Sequence, residues 1–179
     1  MRRLTFQLFP LILIAALAFA PAGCKRKKRA AKSEEQPTGL ATMVNAADPR
    51  ATVQLVRGFH DVEQNAWRWT TGSFAVTLKP PANAAQKGAT LVFKFVLPGP
   101  VIDKLKSMTL SAGVNGRKLA PETYAKEGEH TYSRDVPPGA LAGDAVNVEF
   151  TLDKYLPASP DDMRDLGVIM TMVGFEAKP

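Results

Sequence analysis

From residue 52 onward, apolar residues recur at every second position. Phe74, Val76 and Leu78 alternate with Ser73, Ala75, Thr77 and Lys79. Leu91, Phe93, Phe95 and Leu97 alternate with Thr90, Val92, Lys94 and Val96, and Val146, Val148, Phe150 and Leu152 with Asn147, Glu149 and Thr151. Successive side chains of a strand point to opposite faces, so this period predicts half-buried strands. Met108, Leu110, Ala112 and Val114 run into Asn115-Gly116, the residue pair of a two-residue hairpin turn, with Arg117 to Ala120 as the returning strand. Thr52 to Arg57 and Thr131 to Val136 are shorter runs of the same kind. Leu166 to Phe175 is apolar on both faces, as a central strand is. Prolines and glycines fall between the runs, and no segment carries a long helical period. The pattern predicts an all-β fold, a single β-sandwich of about eight antiparallel strands of jelly-roll type, over residues 51–179.

The first fifty residues read differently. Met1-Arg2-Arg3 is a positive start, Leu11 to Ala20 is unbroken apolar sequence, and Pro21-Ala22-Gly23-Cys24 comes next. This is the form of a secretory signal over residues 1–23. The Ala-Gly-Cys ending resembles a bacterial lipoprotein signal, in which Cys24 becomes the lipidated (palmitate-bearing) first residue. Pro21 stands where that pattern usually has a Leu-type residue. Ordinary cleavage after Ala20-Pro21-Ala22 and an uncleaved anchor are the alternatives, since the basic run Lys25 to Arg29 outweighs Arg2 and Arg3 and opposes export of the chain beyond it. Cys24 is the only cysteine, which excludes an internal disulfide and any Cys-built zinc site. Residues 24–50, basic and then Ala- and Ser/Glu-rich with few large apolar side chains, predict a disordered tether.

Charge changes the picture once it is placed. The chain has 23 basic and 17 acidic residues and a net charge of +6. Eight of the basic and three of the acidic residues precede residue 50, so the remainder carries a net charge of only +1. The basicity belongs to the leader and arm. It points to an anionic membrane surface as partner and not to nucleic acid, because Lys or Arg beside a lipid anchor adds about 1 kcal/mol each.

Candidate chemistry concentrates in Gly58 to Gly72, expected as a loop between two strand-like runs. It holds both tryptophans. An aromatic ring offers a flat apolar face to a sugar, yet Trp is also a main contributor to cores. Trp69 is expected in the core, and Trp67, nearer the polar Glu63-Gln64-Asn65 run, is open between core and surface. On a strand, Arg68 would face away from both. His60, Asp61 and Glu63 are near enough in sequence for acid–base or metal work, but the three or four His or Cys ligands that zinc usually takes are not visible. Asp161, Asp162 and Asp165 could offer oxygens to calcium, against the alternative of a solvated acidic turn. No nucleophile elbow or phosphate loop occurs, and no cofactor is expected.

Gly58-Phe59, Glu63, Arg68-Trp69-Thr70, the Asn115-Gly116 turn and Asp162-Met163-Arg164-Asp165-Leu166-Gly167 together resemble a bacterial β-sandwich module that recurs as an extra domain on envelope glycosyltransferases and phosphoglycerol transferases. The resemblance spans roughly Thr52 to Glu176. It implies a galactose-binding-like sandwich working in the cell envelope, near glycans, without the transferase. The expectation is a non-catalytic lipoprotein, lipid-anchored and facing periplasm or exterior, with His60, Glu63, Trp67, Arg68 and Arg164 as ligand-binding residues for an envelope glycan. A module docking on an envelope protein without sugar binding is the alternative.

Overall fold

The computed structural model describes residues 39–179. The expectations for the leader, Cys24 and the run Lys25 to Arg29 lie outside the described residues.

Ten strands form among the described residues: β1 (Met43–Asn45), β2 (Leu55–Glu63), β3 (Trp67–Leu78), β4 (Ala89–Leu97), β5 (Met108–Val114), β6 (Arg117–Lys118), β7 (Glu122–Tyr124), β8 (Gly128–Val136), β9 (Val146–Leu152) and β10 (Ile169–Ala177). Two short helices, α1 (Ala84–Lys87) and α2 (Gly99–Leu105), occupy connections. All ladders are antiparallel, and the main path runs β6-β5-β9-β3-β10-β4-β8. β1 adds to β10, β2 to β3 and β7 to β5.

The sheet folds over on itself. β4 and β9 are three strand steps apart along the path, roughly 14 Å at the usual spacing. Yet the Phe93 and Phe150 rings lie 4.9 Å apart. They meet because the path curls into two facing layers, the sandwich that the alternation predicts. Phe74 joins them, 5.0 Å from Phe150 and 5.4 Å from Phe93. Leu78, Leu91, Leu97, Met108 and Leu110 close the core around these rings.

β3 is the strand that changes layer. Arg68 and Trp69 pair with Met170 and Ile169 of β10, whereas Ser73 to Leu78 pair with β9. The change falls at Gly72, where a side chain would collide with the Tyr155 ring.

The structure corrects the sequence reading in four places. The expected tether over residues 24–50 ends too late: Met43 to Asn45 pair with Met172 to Gly174, and Val44 and Ala46 are buried. A three-residue strand is too short to show a period, and its burial comes from docking on β10. The expected strand Thr52 to Arg57 is in fact a 3-10 turn over Pro49–Val53 followed by β2. Asp48 caps that turn, accepting from the Arg50 amide, and Pro49 at the first position pre-sets its backbone. About eight strands become ten, because β1 and β7, of three residues each, are too short to show a period. Lastly, Gly58 to Gly72 is no loop. It is a hairpin of β2 and β3, turned at Gln64 and Asn65, both with positive φ, with the Ala66 amide donating to the Glu63 carbonyl. Asn tolerates that region well enough to make a tight turn without glycine. Gly58 sits instead within β2, at φ +77°, in an irregular register.

Candidate functional site

The hairpin end of β3 sets two opposed rows across the layer formed by β3, β10, β4 and β8. Directly paired residues share a face. One row is Arg68, Met170, Phe95 and His130, and the next is Trp69, Ile169, Val96 and Glu129. The first row faces inward, where Met170 and Phe95 are fully buried and Arg68 is 8% exposed. The second is the outer face: Trp69, Ile169 and Val96 are half-buried and Glu129 is exposed. Trp67, two residues before Trp69, lies on the same outer face, paired with Glu63 of β2. Both tryptophans are half-buried, and Trp69 also packs against the core.

Arg68 is therefore a correction. Its guanidinium is turned into the protein and donates from Nε to the Ala46 carbonyl at 3.0 Å and from Nη1 to the His60 carbonyl at 3.1 Å. A buried charge needs such partners. Arg68 ties the entry segment to the β2 edge and offers nothing to a ligand.

Arg164 is the other matched arginine, and it stays at the surface, 38% exposed. Nη1 donates to Glu63 Oε1 at 2.6 Å, while Nε and Nη2 donate to the two oxygens of Asp162, each at 2.9 Å. The guanidinium holds the Asp162 carboxyl below the usual carboxylate range, and the two acids make Arg164 still harder to deprotonate. This triad stands beside Trp67, because Glu63 is the cross-strand partner of that ring.

His60 is committed to structure. Its Nε2 lies 2.8 Å from the Asp165 carbonyl, which can only accept, so the imidazole donates there. Asp165 Oδ1 accepts from the Ala158 amide. Leu156 and Leu166 exchange both backbone bonds, and the Gly167 amide donates to the Thr70 carbonyl. These bonds fasten the 156–168 segment against the hairpin. The acid–base reading of His60, Asp61 and Glu63 loses its geometry, since His60 and Glu63 point to separate structural partners. The calcium candidates do not assemble either: Asp162 serves Arg164 and Asp165 serves Ala158. Among the described residues, no group of three or more His, Cys, Asp or Glu is placed to hold a metal ion.

Of the expected ligand residues, then, Trp67, Glu63 and Arg164 come together at the surface, His60 supports the segment beside them, and Arg68 is buried away. Sequence reasoning missed Ile169 and Val96, which extend the face of the tryptophans. The signal was present. β10 reads as apolar on both faces, and Val96 is an apolar residue at an outward position of β4. A separate open groove of about 300 Å³ lies at the other end of β3, lined by Lys79, Pro81, Asn83, Gln86 and Asp144 among others.

No protein-family model and no curated protein matches this chain. Solved structures similar to it include an acetyl xylan esterase from the rumen bacterium Butyrivibrio proteoclasticus, with TM-score 0.44 and 11% identity over 79% of this chain. The chain spans 34% of that esterase. A second is the CBM36-1 domain of a multidomain xylanase from the hindgut metagenome of Trinervitermes trinervoides, with TM-score 0.40 and 8% identity, covering 77% of this chain and 98% of that one. A third is a structure of CBM51-2 in complex with GlcNAc and of INT domains, from Clostridium perfringens ZmpB, with TM-score 0.32 and 13% identity, covering 74% of this chain and 28% of that one.

Proposed function

We propose that this protein is a non-catalytic envelope lipoprotein, anchored through Cys24 and the run Lys25 to Arg29, whose sandwich binds carbohydrate on the outer face at Trp67. The observation that carries the binding reading is the placement of Trp67 and Trp69. They are alternate residues of one strand, on one face, half-buried, with the Glu63–Arg164–Asp162 triad beside them. An indole left partly in water gives up burial that a core position would supply. A pyranose face stacked on it recovers that burial, while carboxylates and a guanidinium at its rim hydrogen-bond hydroxyls. The same side chains support a non-catalytic role, because His60 and Glu63, the nearest acid–base groups, are held in structural bonds.

A glycan screen with the protein tests the binding half. The expected result is a ligand lost in Trp67→Ala, with the melting temperature little changed. Binding that survives Trp67→Ala unaltered would move the site elsewhere. Labelling with a fatty-acid probe tests the anchor: label should appear in the wild type and vanish in Cys24→Ala.

A further inference from the structure

We infer that the site is longer than the tryptophans and takes an internal stretch of a linear, uncharged glycan, laid across the strands over Trp67, Trp69, Ile169 and Val96. This rests on the carbohydrate reading above and names its ligand class. The cross-strand register is the reason. Trp69, Ile169 and Val96 stand side by side on β3, β10 and β4, followed by Glu129 on β8. Three strand steps span roughly 14 Å, room for more than one sugar ring. Neighbouring outward positions carry Lys94 and Thr131, paired across β4 and β8, which supply ammonium and hydroxyl groups along the same line.

The row is an open sheet face, and the described groove lies at the other end of β3. A flat face fits chains whose rings are joined equatorially, since such chains are ribbons with apolar faces. The charges point to a neutral chain. Arg164 is already neutralised by Glu63 and Asp162, and Lys94 of β4 stands diagonal to Glu129 of β8. A polyanionic glycan would meet the carboxylates of Glu63, Asp162 and Glu129 against an already paired Arg164 and the single ammonium of Lys94, and like-charge juxtaposition is unfavourable.

Full-length protein in detergent micelles, titrated calorimetrically with cello- and chito-oligosaccharides of one to six units and with oligogalacturonate, tests this. Affinity for at least one neutral series should rise about ten-fold or more from monomer to tetramer, and oligogalacturonate should bind more weakly. Val96→Glu should abolish the gain with length. Ile169→Thr, which keeps a β-branched residue in the strand, should reduce the same gain and serves if Val96→Glu does not fold. Sugar binding that is independent of length, or stronger for the polyanion, would overturn the inference and leave the Trp67 site standing. Binding of no glycan in a general screen would remove both.

Discussion

Arg164 Nη1 donates to Glu63 Oε1 at 2.6 Å across 101 residues of sequence. That bond joins the hairpin of β2 and β3 to the 156–168 segment, and it places a charged cluster beside Trp67. Both side chains are more than a third exposed, and exposed ion pairs contribute little, about 0.2–1 kcal/mol. A double-mutant cycle with Glu63→Gln and Arg164→Gln should therefore give a coupling energy in that range by denaturant unfolding. A coupling several times larger would mean that the pair holds the hairpin end of the fold together.

Acid should loosen the same segment. Arg164 depresses the Asp162 carboxyl in the folded state. A depressed carboxyl stabilises above its unfolded value, near about 3.9, and that contribution disappears as pH falls through the folded value. Unfolding followed between pH 5 and pH 2 should show a steeper loss of stability in the wild type than in Asp162→Asn. Parallel curves would deny Asp162 this role.

Alkali should act at the opposite edge, through Tyr124. Its hydroxyl is buried with no hydrogen-bond partner, and the Glu122 carboxylate stands close but outside hydrogen-bonding geometry. Burial, with the Glu122 charge second, pushes the phenol above its usual value. The unfolded chain thus ionises first, and stability falls as pH rises past about 10. Tyr124→Phe should blunt that fall. At neutral pH it should be neutral or stabilising, because an unsatisfied buried hydroxyl costs about 1–3 kcal/mol.

Gly58 and Gly116 share a positive φ but differ in their surroundings. A Cβ at Gly116 meets open space, whereas one at Gly58 collides with the Ser73 carbonyl and Phe74. Gly116→Ala should cost about 1 kcal/mol, the backbone penalty alone. Gly58→Ala should cost that plus the roughly 1–3 kcal/mol typical of overpacking. Equal melting temperatures for the two variants would contradict the close approach at Gly58.

The tryptophans separate packing from recognition. Trp69 packs against the core, so Trp69→Ala should cost about 2–4 kcal/mol, less than a fully buried Trp because the ring is partly exposed. Trp67→Ala should cost less than about 1.5 kcal/mol, as surface changes usually do. Chemical denaturation of both variants decides it, and a reversed order would make Trp67 the packing residue.

The alternation of Phe74, Val76 and Leu78, of Leu91 to Leu97 and of Val146 to Leu152 determined the sandwich by itself. Side-chain direction in a strand follows from backbone geometry, so a period of two needs no knowledge of neighbours. The Asn115-Gly116 turn was equally legible, since both residues take positive φ with little penalty. The hairpin at Gln64-Asn65 was not, because its turn lacks glycine and two glycines elsewhere imitated loop ends. β1 was hidden because three residues carry no period, and only the free edge of β10 makes them a strand. The site depended most on tertiary structure. In sequence Arg68 stands between the tryptophans, though on a strand it faces away from both, and Arg164 is nearly a hundred residues away. Folding changed that: strand alternation turned Arg68 inside, β10 carried Ile169 alongside Trp69, and the 156–168 segment brought Arg164 to Glu63. Which residues share a surface is decided by register between strands, and register is a property of the packed sheet, not of any one segment.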